Sequence, residues 1–594
     1  MVIAGCGTSP GTPPSSDAGP GAARDAGEER GDAGAPCPGC ADDAGPVCGA
    51  NGCETGEDCD SCAMDCGACD PAPSQDLYGT ETGYSCDYYA APDGAPGASG
   101  RDRAHPFRVS DFWGVAEPGD VLCLMDGTYR GADSMIHPPA GEVSGTPGHP
   151  IVVAALHDGK AFIDGEGERG PVFLEGNDWM VLEGFDAFHA AEATHGNPEA
   201  SVAVIEHCHD VIVRRLVVWD SANANSGMIT GSYSENVLRE DIAAFGQGRS
   251  MGGNGHRSDS STDTSLGTES NNVIRRYWSR LQHNTWGGQK GISIGYNTNG
   301  NIVENAIVTM DGYLSKEDST VSSADHFGIH EDRFTDANNQ VLGSIVYRTA
   351  DQSVMGSDTN GLLTPSGRNT RLRDILVVVE GEESTYGNVL KTGARLNAYH
   401  HDEYEAQLMT FFGGAGINLG HRGAPSDIGR LIVQNIDWNV GADPTGAAIN
   451  PGIALWSPNR SLDAPADYVM AWNNHEHWNV EPPHHAIEDP RLIERFGNLL
   501  QFGTAPRPTV DGQPVGAQIA CRYENGTLTD RPLWPWPMEE RIRVATCMYD
   551  EGLSLEACER DRERGVHVTR TVFELGGGRV PDFEALNPVL CPGG

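Results

Sequence analysis

Basic and aromatic side chains gather in two segments that otherwise contain mainly glycine, serine, threonine and asparagine. The segments span 246–270 and 283–301, and their distinctive residues are Arg249, His256, Arg257, Trp286, Lys290 and Tyr296. From 234 to 300 there are seven Arg or Lys against six Asp or Glu, in a chain whose net charge is −44. This part of the chain therefore carries a small net positive charge, in contrast to the rest of the chain.

These side chains suit the removal of a proton that lies next to a carboxylate group. A cation neutralises the carboxylate, a neighbouring Lys, Arg or His accepts the proton, and a Tyr or His protonates the leaving oxygen. On this basis the candidate catalytic residues are Lys290, Arg257 and His256. The candidate substrate contacts in the same segments are Arg249, Trp286 and Tyr296. The alternative interpretation is that both segments are mobile loops without a catalytic role.

Carboxylates cluster in a third segment, 322–334. The candidate metal ligands there are Asp325, Glu331 and Asp332. Carboxylate oxygens are ligands that Ca²⁺ prefers, so the segment predicts a Ca²⁺ site, with an acid/base set as the alternative. Three further side chains are candidate substrate contacts, namely His330, Arg395 and His421.

A recurring segment separates these loops and determines how they are positioned. It reads NDWMVLEGFDAF at 177–188 and HDVIVRRLVVWD at 209–220, and it returns five more times before residue 380. The corresponding residues of the seven copies are Leu182, Val213, Leu238, Ile274, Val303, Leu342 and Leu372. Their spacings are 31, 25, 36, 29, 39 and 30 residues. A short strand with loops of variable length predicts a coiled stack of parallel strands, and the two largest spacings predict its longest loops.

Many polar residues of the repeat have a structural interpretation. Asparagine at a turn bonds nearby backbone and tolerates left-handed geometry. The residues with this predicted role are Asn236, Asn271, Asn272, Asn301, Asn338 and Asn339. Three arginines, Arg275, Arg276 and Arg280, are expected to pair with carboxylates of adjacent repeats, namely Glu240, Asp241 or Glu304.

A more specific pattern precedes the repeats. Residues 108–116 predict a short helix, Pro118-Gly119-Asp120-Val121 leads into a strand, Asp126-Gly127-Thr128-Tyr129 turns it, and GTPGHPIVV at 145–153 begins the next one. This pattern resembles the entry of a right-handed parallel β-helix of the pectate-lyase-like class. The resemblance covers 87–500 and implies an all-β fold whose coil is capped by the short helix. A four-stranded sandwich is the alternative, but it would not give a one-strand repeat with long, variable insertions.

Members of this class hold extended polysaccharides along one strand face and its overhanging loops. The resemblance and the basic segments together imply a polysaccharide lyase that acts by β-elimination on an acidic, uronic-acid-containing polysaccharide. A glycoside hydrolase is less favoured, because the paired aspartates of polygalacturonase-like hydrolases are missing at 297–299 and 420–422. The alternative is a non-catalytic β-helix that binds glycans or serves as an adhesin or spacer at the cell surface.

The first 70 residues differ from the body in composition. Ile3-Ala4-Gly5-Cys6 resembles a bacterial lipobox and implies lipidation of Cys6. The rest of 1–36 is small, polar or charged and predicts a disordered tether. Eight cysteines lie between 37 and 69, in a segment too short to build a core, which predicts a disulfide-stapled module over 37–70. Zinc held by its CxxC pairs is the alternative, and 71–86 is expected to be a linker.

The remaining cysteines predict further disulfides. The expected pairs are Cys86 with Cys123, and two bridges among Cys521, Cys547, Cys558 and Cys591. Cys208 is left over and is expected to be a buried free thiol. This pattern indicates an exported protein, either secreted or held at the outer membrane or cell surface as a lipoprotein.

Residues 501–594 predict an irregular extension on the coil, with Trp534 and Trp536 as packing residues or, alternatively, as a sugar-stacking platform.

The net charge excludes several classes of partner. Nucleic acid and anionic lipid surfaces need clustered Lys and Arg, which a chain at −44 does not offer overall. We therefore expect an extracellular polysaccharide as the partner, a membrane contact only through the lipid at Cys6, and a monomer.

Overall fold

The structure is a computed structural model. It describes residues 77–192, 198–221, 227–248, 250–254, 269–281, 290–295, 298–310, 327–331, 338–348, 363–364, 369–379, 394–398, 404–413, 417–421, 431–434, 437–440, 453–456, 469–472, 475–478, 509–510, 513–514, 516–517, 519–574, 580–585 and 591. The predicted lipidation site Cys6, the tether and the cysteine-rich module lie outside these residues. None of the helices among them is both long and apolar enough to cross a membrane.

The described strands form a coil in which each strand pairs in parallel with the equivalent strand of the next rung, a rung being one circuit of three sheets. Sheets 1 and 2 join in one 24-stranded sheet, because three long strands run through the corner between them, and sheet 3 has ten strands. Parallel crossovers within a sheet are right-handed in nearly all proteins. The predicted all-β, right-handed parallel β-helix is confirmed.

Sheet 1 contains only the first half of each recurring segment, and the second half continues past the corner into sheet 2. Its strands are Tyr88–Ala90, Val121–Leu124, Ile151–Ala155, Met180–Glu183, Ile302–Glu304, Gln340–Leu342, Arg371–Arg373, Tyr404–Gln407, Leu431–Gln434 and Val469–Trp472, with short additions at Glu269–Ser270 and Thr298–Asn299. The long strands shared with sheet 2 are His209–Trp219, Glu235–Phe245 and Val273–Leu281.

Sheets 2 and 3 complete each rung. Sheet 2 adds Gly127–Tyr129, Ala161–Asp164, Asp186–Phe188, Ile307–Met310, Ile345–Arg348, Leu376–Val379, Thr410–Gly413, Asp437–Val440 and His475–Trp478. Sheet 3 consists of Val172–Glu175, Ala203–Glu206, Gly227–Ser232, Ser250–Asn254, Lys290–Ile294, Phe327–Glu331, Leu363–Thr364, Ala394–Ala398, Ile417–His421 and Ile453–Trp456.

The core lies inside the coil, where apolar residues of successive rungs stack in register. One inner column of sheet 1 contains Leu182, Val213, Ile274, Val303 and Leu372, each at most 1% exposed. Five of the seven residues matched in the sequence are thus true register partners. Burying such side chains contributes about 1.5–3 kcal/mol each, so the inner columns supply most of the driving force for coiling.

Two of the seven matches were wrong by one residue. The residues in the inner column are Arg239, not Leu238, and Val341, not Leu342. Both faces of these strands are buried, so apolar residues do not alternate cleanly with polar ones and the register is ambiguous in sequence. Arg239 consequently lies inside the coil. Its burial lowers its pKa to about 10, although the carboxylate of Glu269 acts in the opposite direction.

The corner between sheets 1 and 2 is made by one left-handed residue per rung. Eight such residues follow one another, with φ between 48° and 81°, namely Gly184, Arg215, Asp241, Arg276, Asn305, Gly343, Asp374 and Leu408. The residue before each corner carries alternating charge over five rungs, in the order Glu183, Arg214, Glu240, Arg275 and Glu304. Opposite charges on neighbouring strands stabilise the pairing of these strands. The corner is therefore defined by its left-handed backbone and stabilised by the attraction between charges of successive rungs.

The predicted asparagine turns are confirmed as two ladders. Asn236, Asn271 and Asn338 are left-handed. Asn272, Asn301 and Asn339 are buried, and each side-chain oxygen accepts a backbone N–H of the preceding rung, at 2.8, 2.8 and 3.0 Å. Each asparagine thus satisfies a buried donor of its neighbour, which is what a turn inside a stack of rungs requires.

Two expectations about loops were wrong in part. The segments 246–270 and 283–301 each contain a strand of sheet 3, Ser250–Asn254 and Lys290–Ile294. Residues 127–129, expected to be a turn, begin sheet 2, and only Gly127 has turn-like backbone, with φ of 135°. Glycine and serine weaken the strand signal, which is why these strands were read as loops.

The N-terminal end of the coil has the elements expected from the sequence, whereas the C-terminal extension, expected to be irregular, contains regular hairpins and helices. The helix Val109–Phe112 lies at the N-terminal end, and Cys86 is bonded to Cys123. Cys208 is a buried free thiol, as predicted. After the coil come two hairpins, Thr509–Val510 with Gln513–Pro514 and Cys521–Glu524 with Thr527–Pro532, and three helices, Glu539–Glu551, Leu555–Arg560 and Val568–Glu574.

The C-terminal extension packs on the outer face of sheet 2. Trp534 and Trp536 are 1% and 2% exposed and lie among outward side chains of sheet 2 such as Phe245 and Trp278. The two predicted C-terminal bridges are present as Cys521–Cys591 and Cys547–Cys558. The tryptophans are therefore packing residues, and the alternative of an exposed sugar platform at this place is wrong.

Arg541 joins the longest C-terminal helix to the first rungs. Its Nη1 donates to Asp158 at 2.9 Å, and its Nε and Nη2 donate to Asp186 at 3.1 and 2.5 Å. Asp158 also accepts from Arg215 at 2.8 and 3.0 Å. Burial raises the pKa of Asp186 to about 6, although Arg541 acts in the opposite direction.

This raised pKa predicts a pH-dependent contribution from Asp186. Its ordinary pKa is 3.8, so the folded state binds a proton that the unfolded state has lost, and the resulting stability is full below 3.8 and is lost as pH rises through about 6. We expect Asp186→Asn to remove up to about 3 kcal/mol of pH dependence between pH 4 and 7. Urea unfolding across this range measures it, with the exposed Asp530→Asn as control. Parallel curves for wild type and Asp186→Asn would contradict the prediction.

Candidate functional site

All five predicted site residues that fall on described strands lie in one sheet. Lys290, His330, Glu331, Arg395 and His421 belong to four strands of sheet 3. The remaining predicted residues lie outside the described part of the chain, namely Arg249, His256, Arg257, Trp286, Tyr296, Asp325 and Asp332. Several of these belong to segments that border strands of sheet 3 in the chain, whereas the five described candidates themselves share that sheet.

The outer face of sheet 3 is identified by strand alternation. In Lys290–Ile294, Ile292 and Ile294 are buried in the core, whereas Ser293 is half-buried on the other face. Residues in register with Ser293 therefore occupy outer-face positions. That column runs through Thr230, Gly253, Ser293, His330 and Thr364.

Two predicted substrate contacts fall on this outer column. His330 is the register partner of Ser293 and of Thr364. Because Leu363 pairs with Ala394, Arg395 continues the column beside Thr364, and Asn418 follows. The positions of His330 and Arg395 are two strands apart, which is about 10 Å. This separation allows the histidine position and the arginine position to contact one extended ligand that lies along the column.

Lys290 occupies a different place from the one expected. It is the first residue of its strand, shares the face of Ile292 and Ile294, and is only 8% exposed. It lies three positions from Ser293, an odd number, so by alternation it is on the opposite face from His330. Lys290 was expected in an overhanging loop, and the structure places it at a buried strand end instead.

The positions of Glu331 and His421 also follow the inner face by alternation. Glu331 is the register partner of Ile294, which is buried in the core, and His421 is four residues after Ile417 in the column of Ile329. Within the described residues, no group of three or more His, Cys, Asp or Glu side chains is placed to hold a metal ion. The Ca²⁺ site is not tested further, because Asp325 and Asp332 lie outside those residues.

The arginines of the repeat are structural, as predicted. Arg276 donates to Asp241 at 2.6 Å and to Glu240 at 2.9 Å. Arg275 lies 3.1 Å from Glu304. The prediction was incomplete for Arg280, which donates to Asp550 of the longest C-terminal helix at 2.7 and 2.8 Å. Three of the seven basic residues counted between 234 and 300 are thus paired with carboxylates away from sheet 3, two at the corner of sheets 1 and 2 and one at the C-terminal extension.

The polar residues next to the histidine and arginine positions were missed in the sequence. Ser293, Thr364 and Asn418 belong to the same outer column, but their strands are short and carry no repeated motif. The only sequence signal for them is the number of residues between one copy of the repeat and the next. This number limits where the third strand of each rung can lie.

No family model matches this chain, and no curated protein matches it. Solved structures with a similar coil include pectate lyase Pel9A, at 14% identity and a TM-score of 0.37, covering 74% of this chain and 92% of that one. The GH136 lacto-N-biosidase from Eubacterium ramulus has 12% identity and a TM-score of 0.43, covering 66% and 67%. A rhamnogalacturonan lyase has 14% identity and a TM-score of 0.40, covering 65% and 87%. These polysaccharide lyases and this glycosidase are similar to the chain at the level of the fold.

Proposed function

We propose that the outer face of sheet 3 binds an acidic, uronic-acid-containing polysaccharide and cleaves it by β-elimination. The observation that carries the proposal is the placement of His330 and Arg395 in one outer column, with Ser293, Thr364 and Asn418 as polar neighbours. A polymer that lies along this column runs across the strands and meets a new polar position at each rung, about every 4.8 Å.

The two charged positions have distinct proposed roles. Arg395 binds and neutralises the uronate carboxylate, which stabilises the charge that develops when the adjacent C–H bond is broken. His330 accepts that proton, and the electron pair forms the C=C bond while the glycosidic oxygen departs as an alcohol after protonation. Lys290 was the first candidate for the base. Its buried position favours His330 in that role and leaves Lys290 as the alternative.

The predicted Ca²⁺ ion and the residues of the loops remain part of the proposal. We propose that Asp325 and Asp332, with Arg249, Arg257 and His256, contact the polymer or the ion, because their segments border strands of sheet 3 in the chain. Trp286 and Tyr296 are proposed as contacts to the sugar rings. A Ca²⁺ ion would assist Arg395 by neutralising a second carboxylate, and treatment with a chelator tests that contribution.

Export is supported by the disulfides. Three bridges lie among the described residues, and structural disulfides persist in oxidising compartments. We propose that lipidation at Cys6 then holds the protein at the cell surface, where extracellular polysaccharide is its substrate.

The activity is tested by incubating the full chain with alginate, pectate or chondroitin and following the ultraviolet absorbance of the unsaturated product. We expect product from at least one polymer. His330→Asn should lower kcat by about 100-fold or more, which is the usual contribution of a general base. Arg395→Met should raise KM, because the carboxylate is bound in the ground state, and also lower kcat, because the interaction strengthens as charge develops in the transition state.

The controls separate the alternatives. Thr128→Val, in sheet 2, should leave the activity unchanged. Loss of kcat in Lys290→Met with an unchanged melting temperature would return the role of base to Lys290. Binding without product for every polymer would favour the non-catalytic glycan-binding alternative, and neither binding nor product would refute both.

A further inference from the structure

Aromatic residues occupy left-handed backbone positions at the corner between sheets 3 and 1. Trp179, His207 and Tyr233 have φ of 52°, 54° and 53°. Bulky side chains rarely adopt this conformation, and later rungs place Asn271, Asn338 or Asn369 at the turn position that Trp179 occupies. Residues held in disfavoured backbone conformations cluster at functional sites, so the aromatic substitutions indicate a role for the rings themselves.

The rings form two pairs near the surface. His207 and Tyr233 stack with centroids 4.7 Å apart and planes 7° from parallel, and Trp179 meets His209 edge-on at 6.3 Å. His207 and His209 are exposed, and the other two rings are half-buried. Exposed aromatic rings that stack on one another are typical of binding surfaces.

The stack lacks a member at its N-terminal end. Glu175 pairs with Glu206 and Glu206 with Ser232, so the residues that follow them, Gly176, His207 and Tyr233, form one column. Gly176 has φ of 65° and no side chain, and the nearest atoms to a Cβ there are the Cα and N of Gly141, at 3.5 and 3.7 Å. No side chain of this column therefore covers the face of His207 that points toward Gly176, and this uncovered place beside the ring is called the gap.

Two carboxylates are close to this gap in the chain. Glu175 is exposed and immediately precedes Gly176, and the side chain of Asp178 is 24% exposed. Asp178 and Asp210 hold the two ring nitrogens of His209, both at 2.8 Å. Aromatic faces pack against the C–H faces of a sugar ring, and carboxylates accept hydrogen bonds from its hydroxyls. The negative charge disfavours a uronate at the same place.

We propose that Gly176, His207 and the carboxylates around them form a subsite for a neutral pyranose unit, which stacks on His207 in the gap above Gly176. The subsite is independent of the proposed lyase activity. Gly176 follows the first strand of sheet 3, and His330 lies five strands further along that sheet, which is about 24 Å. A neutral sugar bound here would be a separate recognition element of the same coil.

The test measures binding of cellohexaose and mannohexaose to the full chain by calorimetry, with oligogalacturonate of equal length for comparison. Gly176→Asn fills the gap, since asparagine tolerates the left-handed conformation and a Cβ there makes only ordinary contacts. His207→Asn removes the ring and keeps a residue that accepts the backbone conformation. Gly552→Asn is the matched control, because Gly552 is also left-handed, at 62°, and has open space around it.

We expect a neutral hexasaccharide to bind, and Gly176→Asn and His207→Asn to weaken its binding about fivefold or more, which corresponds to the loss of one ring stack. Gly552→Asn, His330→Asn and Arg395→Met should leave it unchanged, which separates this subsite from the proposed active site. The proposal is overturned if neither neutral sugar binds, if binding survives both Gly176→Asn and His207→Asn, or if oligogalacturonate binds there equally tightly.

Discussion

Replacing Arg541 with methionine is expected to destabilise the protein by about 3–5 kcal/mol, the usual cost of leaving a buried ion pair without one partner. The guanidinium is 1% exposed and donates to Asp158, Asp186 and the carbonyl oxygen of Phe185, the last at 2.6 Å. Methionine fills a similar volume but neutralises neither carboxylate. Asp158 keeps Arg215, so most of the loss arises at Asp186.

Urea unfolding of wild type and Arg541→Met measures the difference. The loss should be smaller near pH 5 than near pH 8, because Asp186 can take up a proton and become neutral. Arg564→Met is the matched control in the same extension, since Arg564 is 45% exposed and pairs with Asp561 at 2.8 Å and with Glu551. Exposed pairs contribute at most about 1 kcal/mol. Equal stabilities of the Arg541 and Arg564 variants would show that the buried network does not fasten the extension to the coil.

Arg276→Met is expected to cost a similar amount, about 3–5 kcal/mol, for the same physical reason. Arg276 is fully buried at the corner of sheets 1 and 2, where Nε donates to Asp241 at 2.6 Å and Nη2 to Glu240 at 2.9 Å. Burial alone would raise the pKa of both carboxyls. The charge of Arg276 keeps the pKa of Asp241 below its usual value, whereas that of Glu240 stays raised.

The triple variant Arg276→Met, Asp241→Asn, Glu240→Gln tests whether the cost is electrostatic. It should recover part of the loss, because neither Asp241 nor Glu240 is left as a buried carboxylate without Arg276. Arg169→Met is the control, with exposed partners in Glu166 and Glu168. If the triple variant is no more stable than Arg276→Met alone, packing of the arginine stem rather than its charge determines the effect.

The parts of the fold that repeat could be predicted from the sequence. The strands of sheet 1 were visible because an asparagine ladder and an apolar column return at each rung, and buried asparagines such as Asn272 and Asn301 leave little freedom for other residues. The disulfide of Cys86 and the packing of Trp534 could be predicted because cysteine and tryptophan have few alternatives in an exported protein.

The strands of sheet 3 could not be read from the sequence in the same way. Ser250–Asn254 and Lys290–Ile294 contain glycine and serine, and their pairing depends on the rungs before and after them rather than on their own pattern. The relative positions of the candidate site residues could not be predicted for the same reason. His330 and Arg395 were chosen for their chemistry, but only the register of sheet 3 shows that they share an outer face, whereas Lys290 lies opposite.

The left-handed corner between sheets 1 and 2 determines, in every rung, which residues of the following strand face the core. Each rung passes the corner with one residue, from Gly184 to Leu408. Side chains alternate along the strands on both sides, so one residue inserted at a corner would exchange inside and outside for the strand that follows. The connections that flank sheet 3 vary more in length, for example from two residues between Glu206 and His209 to fourteen between Asn254 and Glu269, so their length is less constrained than at this corner. Insertions and deletions during divergence are therefore expected to accumulate beside sheet 3. They allow the ligand preference of sheet 3 to change while the inner and outer faces of the strands at the corner stay the same.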